Sequence, residues 1–190
     1  KALKIFSDNL NRYPPQVSEE LVGAISKRYS LDKKKIILGN GSDELISILA
    51  QTFLNHNDEA IYTEFGFLQF PQAISIVGAK GVVANDVNYT ASVDNILSKI
   101  NKKTKLIFLA NPNNPTGTFI SKNEVIRLHE SIPKNILFVY DAAYSEFVTN
   151  DNYIDGSELA EKYENVIMLR TFSKLHGLAS LRLGWGYASE

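Results

Sequence analysis

The chain has 190 residues and a formal net charge of −1, with 20 Lys and Arg against 21 Asp and Glu, so no basic surplus points to nucleic acid or an anionic membrane. A composition of 44% hydrophobic and 22% charged residues is that of one soluble globular domain with a sizeable core. Cysteine is absent, which excludes disulfides, thiolate nucleophiles and cysteine-held metals; no apolar run approaches the ~20 residues of a membrane span.

The start, Lys1-Ala2-Leu3-Lys4-Ile5, has no apolar signal-peptide core, and a cytoplasmic location is expected. Both ends look cut: the chain opens without methionine and stops at Gly184-Trp185-Gly186-Tyr187-Ala188-Ser189-Glu190, just after what reads as a strand. Residues 1–16 are therefore expected to be a truncated lead-in, and 17–190 a domain shortened at its C-terminus. Val17 to Tyr29 has apolar residues at helical spacing. Lys35 to Leu38 is short and apolar, and Gly39-Asn40-Gly41-Ser42 breaks it before a second helical pattern from Asp43 to Phe53. Glu59 to Thr63 and Gly81 to Ala84 read as strands, and Phe67 to Val77 and Ser92 to Ile100 as helices. Three further runs are the clearest strands: Leu106 to Ala110, Ile136 to Tyr140 and Val166 to Arg170. They are continuously apolar, as strands buried on both faces are. Ser121 and Glu124 form a capping-box pair ahead of Val125, Ile126 and Leu128. Asn150 to Gly156 is the expected long surface loop. The alternation predicts an α/β fold with a mostly parallel sheet covered by helices.

In such sheets ligands bind beyond the carboxyl ends of the strands. After the first clear strand comes Asn111-Pro112-Asn113-Asn114-Pro115-Thr116-Gly117, after the second Asp141-Ala142-Ala143-Tyr144, and after the third Thr171-Phe172-Ser173-Lys174, with Arg182 eight residues beyond the lysine. Each has an ordinary explanation alone. Asp141 suits a turn, Lys174 a solvated surface, the prolines a rigid turn, and Thr171 and Ser173 helix caps. Pyridoxal 5'-phosphate needs all of them at once. It takes a lysine for its aldehyde, a carboxylate for its ring nitrogen, donors to its phenolate oxygen, an anion cradle and a flat group against the ring. Asp141 can hold the ring nitrogen protonated, and Asn114 and Tyr144 can both donate to the phenolate. Gly41, Ser42 and Asp43 open a predicted helix whose backbone N–H groups can bind phosphate, although a plain strand-to-helix turn reads the same way. Thr171, Ser173 and Arg182 can complete that site. Phe67 either stacks on the ring or belongs to the core. His56 and His129 lack metal-ligand spacing and are expected at the surface, while His176 either approaches the pocket or is solvated. No phosphate-loop lysine motif and no nucleophile elbow occurs.

Taken together, Asn40-Gly41-Ser42-Asp43-Glu44, the Asn111–Gly117 segment, Asp141 with Tyr144, and Ser173-Lys174 with Arg182 resemble the fold-type I aminotransferases, in particular the histidinol-phosphate aminotransferases. Asn11-Arg12-Tyr13-Pro14 and Arg170-Thr171-Phe172-Ser173-Lys174 add to that likeness, which runs from about Leu10 to the end. The resemblance implies that Lys174 forms the Schiff base and then shuttles a proton. Asp141 pairs with the ring nitrogen, Asn114 and Tyr144 with the phenolate, and Phe67 covers the ring. Gly41, Ser42, Asp43, Thr171, Ser173 and Arg182 hold the phosphate, and Tyr13 reaches the phosphate of a partner subunit in a homodimer. It further implies an amino donor and a 2-oxo acid acceptor, histidinol phosphate and 2-oxoglutarate foremost. Two positions depart from the family: Ala142 stands where Glu is usual, and His176 where an aromatic is common. A C-terminal small domain that grips the substrate is absent. Another phosphorylated amine as substrate, a decarboxylation, or a non-catalytic cofactor-sensing module are the rival readings.

Overall fold

A run of consecutive apolar residues has no side that tolerates water, so it is driven to the centre of a sheet covered on both faces. The computed structural model, which describes residues 11, 13, 15 and 17–189, places the three clear runs there, as β4 (Thr104–Ala110), β5 (Leu137–Asp141) and β6 (Val166–Thr171). With β1 (Ile36–Gly39), β2 (Glu59–Thr63), β3 (Lys80–Ala84) and β7 (Gly184–Ala188) they form one seven-stranded sheet in the order β1-β7-β6-β5-β4-β2-β3. The pairs from β3 through β6 are parallel, while β7 is antiparallel to both β6 and β1. Mostly parallel is therefore right, and the strand read at the end of the chain is β7, although alternate glycines in Gly184-Trp185-Gly186 dilute its signal. A Cβ on Gly186 would stand 3.0 Å from the Ile37 side chain, which would have to give by a few tenths of an ångström.

Successive side chains of a strand point to opposite faces, and the central strands divide their residues between two cores accordingly. Ile107, Leu109, Phe138, Tyr140, Val166 and Met168 face one core. It is closed by α1 (Glu19–Tyr29), α4 (Val93–Ser98), α5 (Lys122–Ser131) and α6 (Ser157–Lys162) through Val22, Ile25, Ile96, Val125, Leu128 and Leu159. Leu106, Phe108, Val139, Ile167 and Leu169 face the other, closed by α2 (Ser42–Phe53) and α3 (Gln69–Ile76). There Phe70 of α3 stacks on Phe108 with ring centres 5.0 Å apart, a contact whose loss on truncation to Ala costs about 3–5 kcal/mol.

The helix ends follow from the residues that close them. Ser18 caps α1 by accepting from the Leu21 N–H, Glu19 and Glu20 lie in its first turn, and Lys27 and Arg28 in its last, the charge order that suits the helix dipole. At α5 the expected capping box is half-formed. Ser121 accepts from the Glu124 N–H at 3.3 Å, but the Glu124 carboxylate is taken by Arg127 at 2.9 and 2.7 Å instead of reaching back. The residues from Val148 to Gly156 carry no regular element, as expected, and the short α6 that follows had no clear periodicity. The expectation that His129 lies at the surface is wrong. Its side chain is buried, stacked 4.2 Å from the Tyr163 ring, with Nε2 against Asn165 at 3.1 Å. His56 is exposed, as expected.

Candidate active site

At the carboxyl edge of β4, β5 and β6 the strands end in a cavity of about 140 Å³, lined by Ser42, Asp43, Phe67, Asn114, Asp141, Tyr144, Thr171, Ser173, Lys174 and Arg182, with Ala110, Pro112, Ala143 and Ala179 between them. Residues spread over the whole described chain thus converge on one space, because parallel strands deliver their ends, and the loops that follow, to the same side.

Asp141 closes β5, in register with Ala110 on one neighbour and Leu169 on the other. It is 3% exposed, and its Oδ1 accepts a hydrogen bond from the Ala143 N–H at 3.0 Å. Burial pushes its carboxyl up to about 6; the Ala143 N–H opposes the shift, the Asp43 charge adds to it, and Lys174 opposes it. A carboxylate this buried, with so few donors, favours a cationic N–H that can enter the cavity.

The anion cradle is built where β1 turns into α2. Gly41 has φ +83°, in the left-handed region that favours glycine, and a Cβ there would stand 2.6 Å from the Arg182 guanidinium and push the end of that side chain aside. No side chain caps α2. Its first-turn N–H groups therefore remain without intrahelical partners, and Ser42 and Asp43 of that turn line the cavity. Glu44 fixes the turn from behind, accepting from the Asn40 N–H at 2.7 Å and the Asn40 amide at 2.9 Å. Arg182 spans the cradle, with Nη1 donating to Ala179 O at 2.9 Å and to Ser173 Oγ at 3.4 Å, and Nη2 3.4 Å from Asp43. Thr171 Oγ1 accepts from the Ser173 N–H at 3.1 Å.

Lys174 also lines the cavity, its Nζ 5.2 Å from the centre of the Tyr144 ring. Phe67 stays outside α3, half-buried and edge-on to Phe70 at 5.9 Å; the helix expected to include it starts two residues later, which leaves the ring free to form a wall. The Asn111–Gly117 loop has cis peptides at Asn111–Pro112 and Asn114–Pro115. Asn113 ties this loop to the Phe67 loop by donating to Phe65 O at 2.9 Å.

Three features here were missed in the sequence. Asn111 donates to the Tyr140 hydroxyl at 2.8 Å and accepts from the Ile120 N–H at 2.9 Å, and Tyr153 bonds its carbonyl at 2.8 Å, so a buried polar network anchors the loop that carries Asn114. Gly184 lets β7 pass directly beneath the start of α2, where a Cβ would lie 2.3 Å from the Ser42 nitrogen. Glu146 and Arg170 form a buried ion pair behind Tyr144. Only Gly184 carried a signal, an isolated glycine in an apolar stretch. Of the residues expected at the site, Tyr13 is fully exposed and away from the cavity; Arg12 and Pro14 beside it lie outside the described residues, as does most of the 1–16 segment. His176 does not line the cavity. It packs on Phe172, with ring centres 5.3 Å apart.

A deep carboxylate, a primary amine, two further polar groups from Asn114 and Tyr144, an aromatic wall and an uncapped helix start beside a guanidinium fit a planar, phosphorylated, nitrogen-containing ring. Pyridoxal phosphate is such a group. Among the described residues no group of three or more His, Cys, Asp or Glu could hold a metal, and no helix is long and apolar enough to cross a membrane.

Residues 4–190 match the family Aminotransferase class I and II. The histidinol-phosphate aminotransferase of Nitrobacter hamburgensis is 49% identical over 177 residues, 93% of this chain and 48% of its own length. That of Paramagnetospirillum magneticum is 45% identical over 100% of this chain and 52% of its own length. The chain thus spans about half the length of the curated relatives it matches. Among solved structures, histidinol-phosphate aminotransferase from Sinorhizobium meliloti in complex with pyridoxal-5'-phosphate superposes with a TM-score of 0.93 at 23% identity, over 98% of this chain and 51% of that one.

Proposed function

The chain belongs to the class I and II aminotransferases, which work through pyridoxal 5'-phosphate, and on that premise we propose that it is the cofactor-binding half of a transaminase that moves the amino group of histidinol phosphate to 2-oxoglutarate. The names of the relatives at 45–49% identity support that substrate. The observation that carries the reading is Asp141: a carboxylate 3% exposed at the end of a central strand, pushed up to about 6 by burial, in a cavity it shares with Lys174.

Bound in this cavity, pyridoxal phosphate supplies an aldehyde for the donor amine and a ring that accepts electrons from the substrate α-carbon. Asp141 holds the proton on the ring nitrogen, which keeps the ring electron-poor. Asn114 and Tyr144 donate to the phenolate oxygen, and Phe67 lies against the ring face. The first-turn N–H groups of α2, Thr171, Ser173 and Arg182 hold the phosphate. Lys174 would hold the cofactor through its amine and, when free, would move the proton of the substrate α-carbon. Tyr13, exposed and away from this cavity, serves the phosphate of the partner subunit in a homodimer. Residues 17–190 make up the large domain, and the segments that select the substrate lie elsewhere in the protein, which works in the cytoplasm.

The test uses the full-length protein. With pyridoxal phosphate it should develop a visible band, and borohydride should fix the label on the peptide containing Lys174. Histidinol phosphate and 2-oxoglutarate should yield glutamate. A label on any other lysine overturns the site, and no glutamate from this pair, with carbon dioxide released from a phosphorylated amino acid instead, overturns transamination in favour of decarboxylation.

A further inference from the structure

We propose that Glu146 is a positioning residue, a single carboxylate that braces the loop carrying Tyr144 against the loop carrying Lys174. The inference rests on the cofactor reading above and adds a residue to it. Glu146 sits in the 3-10 turn Ser145–Phe147, which starts directly after Tyr144. Its Oε1 accepts from Arg170 Nη2 at 2.8 Å and stands 3.8 Å from His176 Nε2. His176 lies two residues beyond Lys174, in the turn closed by the Gly177 N–H on Lys174 O at 3.0 Å and by the Leu178 N–H on Phe172 O at 3.0 Å. One oxygen therefore faces both loops, two residues from each of the side chains that address the cofactor.

The anchor of this brace is buried and held by several partners. The Arg170 side chain is 4% exposed on β6, its other terminal nitrogen is bonded to Asp155 at 3.0 Å, and its guanidinium lies 4.9 Å from the Tyr29 ring and 5.8 Å from Trp185. Burial works against its charge, but Glu146 and Asp155 outweigh burial and hold it protonated. Two carboxylates thus meet one buried arginine, and they differ in what they are attached to. Glu146 belongs to the Tyr144 turn and touches the Lys174 loop. Asp155 belongs to the segment ahead of α6 and bonds Ser157 at 2.6 Å. If the cluster served only to neutralise Arg170, the two would be equivalent.

That non-equivalence is the test. In the full-length protein loaded with pyridoxal phosphate, the pH midpoint of the visible band is sensitive to the placement of the donors and charges around the ring, Tyr144 and Lys174 among them, independently of turnover. Glu146→Gln should shift this midpoint by about half a pH unit or more and lower kcat about tenfold with little change in KM. Asp155→Asn should lower the melting temperature about as much as Glu146→Gln does and leave the midpoint in place. His176→Leu, which removes only the exposed end of the brace, should shift the midpoint in the same direction by less. An unmoved midpoint in Glu146→Gln, an equal shift in Asp155→Asn, or a silent His176→Leu overturns the brace. A wild-type protein that develops no band overturns the cofactor reading instead.

Discussion

Two acidic residues at opposite ends of the sheet show what separates a group that serves the fold from one that serves a ligand. Glu59 opens β2 at the amino edge and is 7% exposed; Asp141 ends β5 at the carboxyl edge and is 3% exposed. Glu59 receives Asn101 Nδ2 at 2.7 Å and Lys80 Nζ at 3.0 Å, and those two contacts, the Asn101 hydrogen bond first, hold its carboxyl below the usual range. Asp141 receives one backbone N–H and is pushed the other way, up to about 6. The protein completes the first carboxylate by itself and leaves the second incomplete. An incomplete buried charge costs stability, and it is kept where a bound group makes good the deficit.

The contrast can be broken at four points. The largest effect is expected at the reactive edge: Lys174→Ala in the full-length protein should reduce turnover by on the order of 10⁴-fold with an unchanged thermal melt, and a variant retaining a tenth of the activity would place the chemistry elsewhere. Asp141→Asn should weaken cofactor binding about 10- to 100-fold, measured by titrating the visible band, yet stabilise the cofactor-free protein above pH 6. Because its folded value of about 6 lies above the unfolded value of ~3.9, the fold prefers the protonated form. The contribution of Asp141 is complete below pH ~3.9 and is lost as pH rises through 6, a difference on the order of 3 kcal/mol. Denaturation of the cofactor-free wild type and Asp141→Asn between pH 4 and pH 7 checks the sign. Gly184→Ala puts a methyl group 2.3 Å from the Ser42 nitrogen. It should cost about 1–3 kcal/mol and loosen phosphate binding in the same variant, read by melting with and without added inorganic phosphate. The smallest effect belongs to Glu59→Gln, a loss of about 1 kcal/mol with cofactor affinity untouched. The contribution of Glu59 is present above the unfolded carboxylate range and is lost as pH falls through its lowered folded value, so the variant and the wild type should converge in acid.

What could be read in the sequence was whatever lay next in the chain to an unmistakable signal. Asn114, Asp141 and Lys174 follow strands that are apolar throughout, and parallel topology alone brings those three ends together. What could not be read depended on partners distant in the chain. His129 belongs to the buried side of α5 because Tyr163 and Asn165 come round to meet it. Glu124 leaves the capping box because Arg127, one turn on, competes for its carboxylate. Tyr140 read as one more apolar strand residue, yet its hydroxyl is the junction between Asn111 and Ile154 O. Pairing in the sheet put Gly184 under the first turn of α2, which its glycine signal in an apolar stretch did not by itself reveal.

The placement of β7 also fixes an order of events. Among the described residues β1, near the start of the chain, has its only strand partner in β7, near the end, with Gly39 opposite Gly184, and closing so long a loop is a slow step that cannot precede synthesis of the later strand. The same Gly184 lies under the first turn of α2. Until residue 184 has been made and threaded between β1 and β6, the helix start has no floor and Arg182 has no place beside it. The floor of that helix start is therefore a late arrival in the life of the nascent chain, and an anion bound there should speed no folding step that comes before β7 docks.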